Sequence, residues 1–261
     1  MIEKYFDIND VGINIRCKLY CNNPRNIHRV VLSCHGFGGG KENHATKKIA
    51  ESLLSQYDDL AVIAFDWPCH GKDVKQRLSL KDCDDYLATV IRYVKDRMHI
   101  DDIYMQATSF GGYLTLKYIS EHENPFKKIA LRCPAVNMRD ILTEKVLTEE
   151  QLEQIAKGKV VEVGFERKIK ITKQLLDEFE KSDIRQREYY DSADDIIIMQ
   201  GTRDELVPFD EVKAFCENNV IDFYPIEGAD HRYQDPAKLR ECINHINEFF
   251  RSSLEAGKQN Q

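Results

Sequence analysis

Short apolar runs that alternate with helical stretches are the feature that most constrains how this 261-residue chain can fold. The runs are apolar at nearly every position, so both faces of each predicted strand would be buried. Strands of this kind, separated by helices, are typical of a parallel sheet that is covered by helices on both faces. The runs cover residues 30–34, 60–65, 103–107, 129–133, 196–200 and 221–224. We therefore predict an α/β fold around a mostly parallel central sheet.

The two ends of the chain follow other patterns. Ile13, Ile15 and Cys17 alternate with polar residues, which is the period of an antiparallel strand with one exposed face. The turn-forming pair Asn9 and Asp10 precedes this strand, so we predict an N-terminal antiparallel hairpin. At the other end, apolar residues at helical spacing predict a last helix, followed by a polar tail, 252–261, that we expect to fray.

Capping signals locate further helices. Ser79, with Asp82 three residues later, predicts a helix N-terminus. Residues 137–191 contain two more predicted helices, one capped at Thr148 and one around residues 170–180, with glycines between them. This segment interrupts the alternation of strands and helices, and we interpret it as an insert.

The stretch from Ala107 to Gly112 joins an apolar run to a predicted helix. Ser109 has small residues two positions before it and two positions after it, Ala107 and Gly111, which let a strand and a helix pass closely at a sharp turn. Such a turn strains the backbone and pushes the serine hydroxyl clear of it, as a nucleophile requires. The alternative is that Ser109 is an ordinary N-cap of the helix.

An activated serine needs a general base and a group that orients this base. Asp204 lies in a loop after the run 196–200, and His231 lies in a loop before the last helix. None of the other seven histidines has a loop position that completes this set. Asp66 precedes the serine and is expected to secure the loop at residues 68–71. Three further aspartates lie at the wrong end of a strand or directly beside the histidine: Asp194, Asp195 and Asp230.

The chain order Ser109, Asp204, His231, with each residue on a loop after a strand, is the order found in α/β-hydrolases. Residues 35–39, 66–71, 207–208 and 228–231 add further shared motifs, namely His-Gly-Phe-Gly-Gly, Asp-Trp-Pro-Cys-His-Gly, Val-Pro and Gly-Ala-Asp-His. The chain resembles this superfamily over nearly its whole length, and within it the small bacterial carboxylesterases of the cinnamoyl/feruloyl esterase type. One departure is the serine turn itself, which has Ala-Thr-Ser-Phe-Gly instead of Gly-His-Ser-Gln-Gly. The resemblance implies an α/β-hydrolase fold and a serine esterase activity.

The oxyanion of an acyl-transfer reaction needs donors that are already in place, and backbone amides in a folded loop meet this need. Phe110, directly after the nucleophile, offers its N–H, and the resemblance implies the N–H of Phe37 as the second donor. His35, Gly36 and Gly38 are candidates for lining the site. Two histidines that precede glycines either line the site or brace its loops: His35 and His70. The glycines at 36–40 lack the remaining residues of a P-loop or a dinucleotide-binding fingerprint.

The position of the insert in an α/β-hydrolase implies a lid over the active site. We therefore divide the chain into a hydrolase core at residues 1–136 and 192–251, a lid at residues 137–191 and a frayed tail at residues 252–261. The alternative is a surface insert that has no effect on the site.

Composition and charge exclude several classes of protein. A net charge of −7 without a basic arm argues against nucleic-acid binding. Residues 1–7 are too charged for a secretory signal, and no apolar run has the length of a membrane span. We expect a cytoplasmic monomer or homodimer without membrane contact. Its eight cysteines are scattered, so reduced thiols are expected and no zinc-site spacing is found.

These features together predict a serine hydrolase that cleaves small carboxylic esters through an acyl-enzyme on Ser109, with no cofactor and no metal. Two alternatives use the same three residues, on a thioester or on a peptide or amide bond. A third is a non-catalytic binding protein on a hydrolase scaffold, although such proteins usually lose one of these residues.

Overall fold

A computed structural model describes residues 1–164 and 167–256 of the chain. Eight of its strands form one central sheet and two form a separate small hairpin. The strands are β1 (Ile2–Asp10), β2 (Ile13–Cys21), β3 (Arg29–Cys34), β4 (Leu60–Phe65), β5 (Asp102–Thr108), β6 (Ile129–Arg132), β7 (Val161–Val163), β8 (Ile169–Ile171), β9 (Ile196–Gly201) and β10 (Asp222–Ile226).

The central sheet has the strand order β1-β2-β4-β3-β5-β6-β9-β10. β1 and β2 form an antiparallel hairpin, and β2 also pairs antiparallel with β4. Each further neighbouring pair, from β4 and β3 to β9 and β10, is parallel. The predicted mostly parallel sheet with an N-terminal antiparallel hairpin is thus confirmed.

Helices cover both faces of the sheet, which explains why its strands are apolar at successive positions. Along β3, Val30 and Leu32 pack into one buried cluster and Val31 packs into another on the opposite face. The helices are α1 (His44–Leu54), α2 (Leu80–Arg92), α3 (Phe110–Glu121), α4 (Met138–Asp140), α5 (Glu149–Ala156), α6 (Lys173–Lys181), α7 (Phe209–Asn219) and α8 (Pro236–Ala256). In the described part of the chain, no helix is both long and apolar enough to cross a membrane.

Both predicted capping signals are present in the structure. The Ser79 side chain accepts a hydrogen bond from the backbone N–H of Asp82 at the start of α2. At the start of α5, Thr148 and Gln151 exchange side-chain to backbone hydrogen bonds and form a capping box. These local signals predict helix starts well because they satisfy backbone donors that the helix itself leaves free.

The C-terminal tail differs from the prediction. Helix α8 continues to Ala256 instead of fraying from residue 252, because Leu254 is buried in the cluster beneath the helix. The Arg29 side chain also donates to the Leu254 carbonyl and so satisfies one acceptor near the helix end. The rest of the predicted tail, 257–261, lies outside the described residues.

The insert also contains an element that the sequence pattern did not predict. Residues 170 and 171, where a helix was expected to begin, instead belong to β8, which pairs with β7 in a short antiparallel hairpin. The helix begins only at Lys173, where the Thr172 side chain caps it by accepting from the backbone N–H of Leu175. Ile169 and Ile171 are fully buried, so tertiary packing decided the conformation of a segment too short to show a clear period.

Candidate active site

The candidate residues meet at one edge of the sheet. Every neighbouring pair of strands from β3 to β10 in the sheet is parallel. The strands β3, β5, β9 and β10 therefore run in the same direction, and their carboxyl ends lie at the same edge of the sheet. Loop 35–41 follows β3, Ser109 follows β5, loop 202–208 follows β9 and loop 227–233 follows β10. In open parallel sheets this edge is where ligands bind, because the loops there converge.

Ser109 occupies the strained turn that the sequence predicts. Its backbone has φ 52° and ψ −115°, a conformation with positive φ that L residues rarely adopt. Its N–H donates to the Arg132 carbonyl at 3.0 Å, and its own carbonyl accepts from Tyr113 N–H at 3.0 Å and Ala135 N–H at 3.1 Å. These backbone contacts hold the turn in place.

Small residues are required around this turn because other backbone passes close to it. A Cβ atom on Gly111 would lie 2.7 Å from the His35 carbonyl oxygen, and one on Gly112 would lie 2.8 Å from the Pro134 Cβ. A Cβ atom on Gly36 would lie 3.1 Å from the Ser109 Cβ. Loop 35–41 therefore packs directly against the candidate nucleophile.

Ser109, His231 and Asp204 form a continuous chain of hydrogen bonds. The Ser109 Oγ lies 3.0 Å from His231 Nε2, and His231 Nδ1 lies 2.8 Å from Asp204 Oδ2. The Asp204 side chain is fully buried, whereas the His231 side chain is 11% exposed. A carboxylate only accepts hydrogen bonds, so Nδ1 carries the ring proton and Nε2 is free to accept from the serine hydroxyl.

Four donors surround the Asp204 carboxylate. Oδ1 accepts from the backbone N–H groups of Leu206 and Val207 at 2.9 and 2.8 Å, and Oδ2 accepts from Gln200 Nε2 at 3.0 Å in addition to His231. Burial alone would raise the pKa of Asp204, but the hydrogen bond and charge of His231, together with the backbone donors, lower it below its ordinary value. Gln200 was not predicted from the sequence, although its place next to Gly201 at the end of β9 offered a positional clue.

The loops that carry Asp204 and His231 are tied to each other. Arg203 N–H donates to the Ala229 carbonyl at 3.0 Å, and Gly228 N–H donates to the Thr202 hydroxyl at 2.8 Å. Gly201 has no room for a side chain, since a Cβ there would lie 2.4 Å from the Ala229 oxygen. These backbone contacts hold the start of the histidine loop, residues 228–229, against the aspartate loop.

The two candidate oxyanion donors belong to the two segments that meet at the serine. Phe110 N–H belongs to the first residue of α3, and Phe37 N–H belongs to the loop that packs on Ser109. Their rings meet edge to face with centroids 5.6 Å apart. For residues 1–164 and 167–256, the structure shows no acceptor for either N–H, so both remain available to a ligand.

His35 braces this loop. The residue is 2% exposed; its ring Nε2 accepts from Trp67 N–H at 3.2 Å and its Nδ1 donates to the Gly36 carbonyl at 2.8 Å. Of the two roles that the sequence left open for His35, the structure supports bracing rather than lining the site. Gly36 lies against the serine, and Gly38 adopts φ 75°, which favours glycine.

Asp66 has the structural role expected from the sequence. Its carboxylate accepts from the backbone N–H and side-chain Nζ of Lys41 at 2.7 and 2.6 Å, and from Lys72 N–H at 2.9 Å. A Cβ on Gly71 would lie 2.2 Å from Asp66 Oδ1. Asp66 thus joins the ends of loops 35–41 and 66–72 and is fully engaged there.

His70 is buried beneath the candidate oxyanion loop. Its Nδ1 donates to the Pro68 carbonyl at 2.8 Å, and its ring stacks on Phe110 and meets the edge of Phe37. Burial, and next the adjacent ring of His35, lower the pKa of His70 to about 3. The ring is therefore neutral at physiological pH.

This lowered pKa predicts a loss of stability in mild acid. The ordinary imidazole pKa is about 6.5, so between pH 6.5 and the folded value the unfolded chain binds one more proton than the folded chain. The free energy of unfolding should fall with decreasing pH in that window, by at most about 1.4 kcal/mol per pH unit from this group. In His70→Asn, an amide N–H replaces the donor to Pro68 and does not titrate. Urea unfolding should show that the drop between pH 7.5 and 5.0 is smaller by roughly 2 kcal/mol in this variant.

His28→Asn provides the control, because His28 is exposed. It should leave the pH dependence of unfolding unchanged. An equal drop for the wild type and His70→Asn would contradict the assignment of a buried neutral ring.

In the described chain, two groups of side chains have the spacing of metal ligands. Cys133, Asp204 and His231 have ligand atoms within 4.8 Å of one another, but burial raises the pKa of the Cys133 thiol well above its ordinary value and keeps it protonated. Asp84, Glu121 and His122 form the second group at the surface. There His122 pairs with Asp84 at 3.1 Å and Glu121 pairs with Lys117. Neither group fits a preformed metal site.

A cavity of about 180 Å³ lies between α3 and the insert. Its wall includes Tyr113, Asn137, Phe179 and Arg185, but none of Ser109, Asp204 and His231. The buried Asn137 Oδ1 has no hydrogen-bond partner in the described structure. This cavity is thus separate from the serine, histidine and aspartate.

Residues 29–160 match the family described as the alpha/beta hydrolase fold, and this chain belongs to that family. Strand order, the turn at Ser109 and the loops after β9 and β10 agree with this membership.

Among solved structures, Est1E from Butyrivibrio proteoclasticus with bound ferulic acid has a TM-score of 0.77 and 22% sequence identity, over 96% of this chain and 99% of that one. Alpha/beta hydrolase domain-containing protein 10 from mouse has a TM-score of 0.70 and 15% identity, over 95% and 99%. At these identities, the likeness to both structures is one of fold.

One curated relative is the "probable lysophospholipase BODYGUARD 4" of Arabidopsis thaliana. It is 30% identical over 104 residues, which are 40% of this chain and 24% of that protein. The matched segment thus spans about a quarter of the length of that relative.

Proposed function

We propose that the protein is a serine hydrolase that cleaves small carboxylic esters through an acyl-enzyme on Ser109. The observation that carries this proposal is the hydrogen-bonded chain from Ser109 Oγ through His231 to Asp204, with separations of 3.0 and 2.8 Å. A serine on a positive-φ turn with a histidine in reach and a buried carboxylate behind it has the geometry of an activated nucleophile.

Acylation begins when Ser109 Oγ attacks the ester carbonyl carbon. His231 Nε2 takes the hydroxyl proton as the bond forms, and the resulting imidazolium is stabilised by the Asp204 carboxylate. Because Asp204 is held by four donors and has a lowered pKa, it stays ionised and does not take the proton itself. His231 then passes the proton to the leaving alkoxide, and the alcohol departs.

Negative charge on the carbonyl oxygen is stabilised by the backbone N–H groups of Phe37 and Phe110. These amides belong to residues held by a packed loop and by the start of α3, so they need no rearrangement when charge develops. Water, deprotonated by His231, then attacks the acyl-enzyme and releases the acid. Every step is performed by these five residues, and the proton returns to Ser109.

We also assign residues 137–191 as a lid. Phe179 on α6 packs against the rings of Phe110 and Tyr113 with centroids 6.2 and 5.5 Å apart. The Tyr113 hydroxyl donates to the Ser182 carbonyl at 3.0 Å, and Arg167 donates to the Gly71 carbonyl at 3.0 Å. The insert thus docks both on the helix that begins beside the nucleophile and on the loop beside His70.

We propose the substrate at the level of the class of bond that is cleaved. Est1E was solved with ferulic acid and the Arabidopsis relative is named as a probable lysophospholipase. We propose a carboxylic ester as the substrate and treat thioesters and amides as the competing outcomes, because all three use the same nucleophile and oxyanion donors.

The test combines an active-site probe with a substrate panel. A fluorophosphonate probe should label the wild-type protein on Ser109, since it reacts with activated serines. In kinetic assays, p-nitrophenyl esters should be cleaved with higher kcat/KM than acyl-CoA thioesters or aminoacyl amides. A folded protein that the probe does not label would show that the serine is not activated, and a preference for thioesters or amides would replace the ester assignment.

The same substrate panel also tests the lid, with a variant in which a Gly/Ser linker replaces residues 137–191. If the insert forms a wall of the acyl site, the variant should lose much more kcat/KM on bulky acyl esters than on acetate esters, because the proposed catalytic residues lie outside the excised segment. Phe179→Ala is the milder second variant, which removes one contact of the insert. An unchanged ratio of bulky to short ester hydrolysis in the folded variants would rule out the lid.

A further inference from the structure

Arg132 is a buried cation that connects the two reacting segments. It is the last residue of β6 and is 4% exposed. Its guanidinium donates through Nε to the Thr108 hydroxyl at 3.4 Å and through a terminal nitrogen to the Arg232 carbonyl at 3.1 Å. Thr108 directly precedes Ser109, and Arg232 directly follows His231. The Arg132 side chain thus contacts the residue before Ser109 and the residue after His231, and the proposed proton transfer takes place between these two residues.

The side chain after Arg232 adds a third contact. Tyr233 has φ 54° and presents its ring to the Arg132 guanidinium, 5.0 Å from the ring centroid. A cation over an aromatic face in a desolvated place is attracted by the ring. The strained backbone just after His231 is therefore held against Arg132 on two sides, by a carbonyl and by a ring.

The electrostatics indicate that Arg132 is not there for stability alone. Within residues 1–164 and 167–256, its side-chain partners are a hydroxyl, a carbonyl and an aromatic face, and none is a carboxylate. Burying a charge without an opposite charge is costly, and an apolar residue of similar volume would often be more stable. Burial of the Arg132 charge without a carboxylate partner therefore lowers stability, and a purely structural role would not require such a loss.

We propose that Arg132 is a positioning residue that sets the separation of Ser109 Oγ and His231 Nε2. This inference rests on the proposed function. The backbone carbonyl of Arg132 also accepts a hydrogen bond from the Ser109 N–H. The backbone of Arg132 therefore fixes the serine, while its side chain fixes the histidine loop. Loss of the side chain leaves the serine turn in place but frees the loop at Arg232 and Tyr233. Misplacement of catalytic groups by about 1 Å can lower the rate roughly 100-fold.

The test compares Arg132→Met with Arg29→Met. Arg29 is the control because it is also 4% exposed and also donates to a distant backbone carbonyl, that of Leu254; unlike Arg132, it pairs with a carboxylate, Asp59. It begins β3 and so lies at the opposite edge of the sheet from Ser109. Thermal unfolding should show that both variants are folded. Only Arg132→Met should lower kcat on p-nitrophenyl acetate, by roughly 10- to 100-fold with little change in KM.

A second readout does not depend on turnover. The far-downfield proton resonance of the His231 Nδ1–H, bonded to Asp204, should be present in the wild type and in Arg29→Met. It should be broadened or lost in Arg132→Met, because a mobile histidine loop lets this proton exchange with water. A general loss of stability would affect both variants alike.

Two milder variants keep the proposal testable if Arg132→Met does not fold. Arg132→Lys retains the charge but cannot contact both segments, and it should restore part of kcat. Thr108→Val keeps the shape and removes the hydroxyl that accepts from Nε, and it should lower kcat several-fold. Full kcat and an unchanged resonance in the folded Arg132 and Thr108 variants would overturn the proposal. Failure of the probe to label wild-type Ser109 would instead overturn the proposed function.

Discussion

Ser109→Ala is expected to reduce the hydrolysis of p-nitrophenyl acetate by roughly 10³- to 10⁶-fold, with His231→Ala falling in the same range. The serine side chain contributes the attacking oxygen, and its hydrogen bond in the described chain is to His231 Nε2 at 3.0 Å. The turn itself is held by backbone contacts to Arg132, Tyr113 and Ala135. Ser109→Ala should therefore fold normally and lose only the chemistry, as thermal unfolding alongside the kinetics would show.

The double variant distinguishes a catalytic unit from two independent sites. Residues that act together show strongly non-additive losses, so Ser109→Ala with His231→Ala should be little slower than either single variant. Additive losses would mean that the two residues do not share one reaction step. A Ser109→Ala protein that retained a tenth of wild-type turnover would contradict the assignment of Ser109 as nucleophile.

Asp204→Asn should leave the fold intact and lower kcat by about 10⁴-fold. The backbone N–H groups of Leu206 and Val207 both donate to Oδ1, and in the variant they would hold the amide oxygen at that position. The amide nitrogen would then face His231 Nδ1 and donate to it. The ring proton would move to Nε2, where it blocks acceptance of the Ser109 proton. The loss should appear in kcat more than in KM, because the defect is in proton transfer.

Asp230→Asn is the control for this variant. Asp230 directly precedes His231, but its carboxylate accepts from Gln234 N–H instead of from the ring. The variant should keep kcat close to that of the wild type. Near-normal turnover in Asp204→Asn, or a collapse in Asp230→Asn, would show that another carboxylate orients the histidine.

Much of the fold was predictable because both faces of the central strands are buried. A run such as Leu60–Phe65 is apolar at successive positions, and it forms β4 with the predicted bounds. The serine turn was predictable for a local reason, since small residues must surround it where the backbones of the β3 and β5 segments approach. Caps at Ser79 and Thr148 were predictable because a helix start needs side-chain acceptors within a few residues.

Other features depended on contacts between residues far apart in the chain. The conformation of residues 169–171 followed from burial of two isoleucines, and the extension of α8 followed from burial of Leu254. Short or polar segments carry too little periodicity to show such packing in advance. Gln200 and Arg132 were not predicted because each donates a hydrogen bond to a group, the Asp204 carboxylate or the Arg232 carbonyl, that it meets only in the folded structure.

The sequence by itself determined the class of fold, the order of Ser109, Asp204 and His231, and the helix starts, because hydrophobic period, glycine placement and capping are local properties. The tertiary structure alone decided which atoms meet: which carboxylate faces His231, why His35 braces instead of lining the site, and how the insert docks on Phe110. Hydrogen bonds act over about 3 Å, and only the packing of the parallel strands brings residues more than a hundred positions apart within that distance.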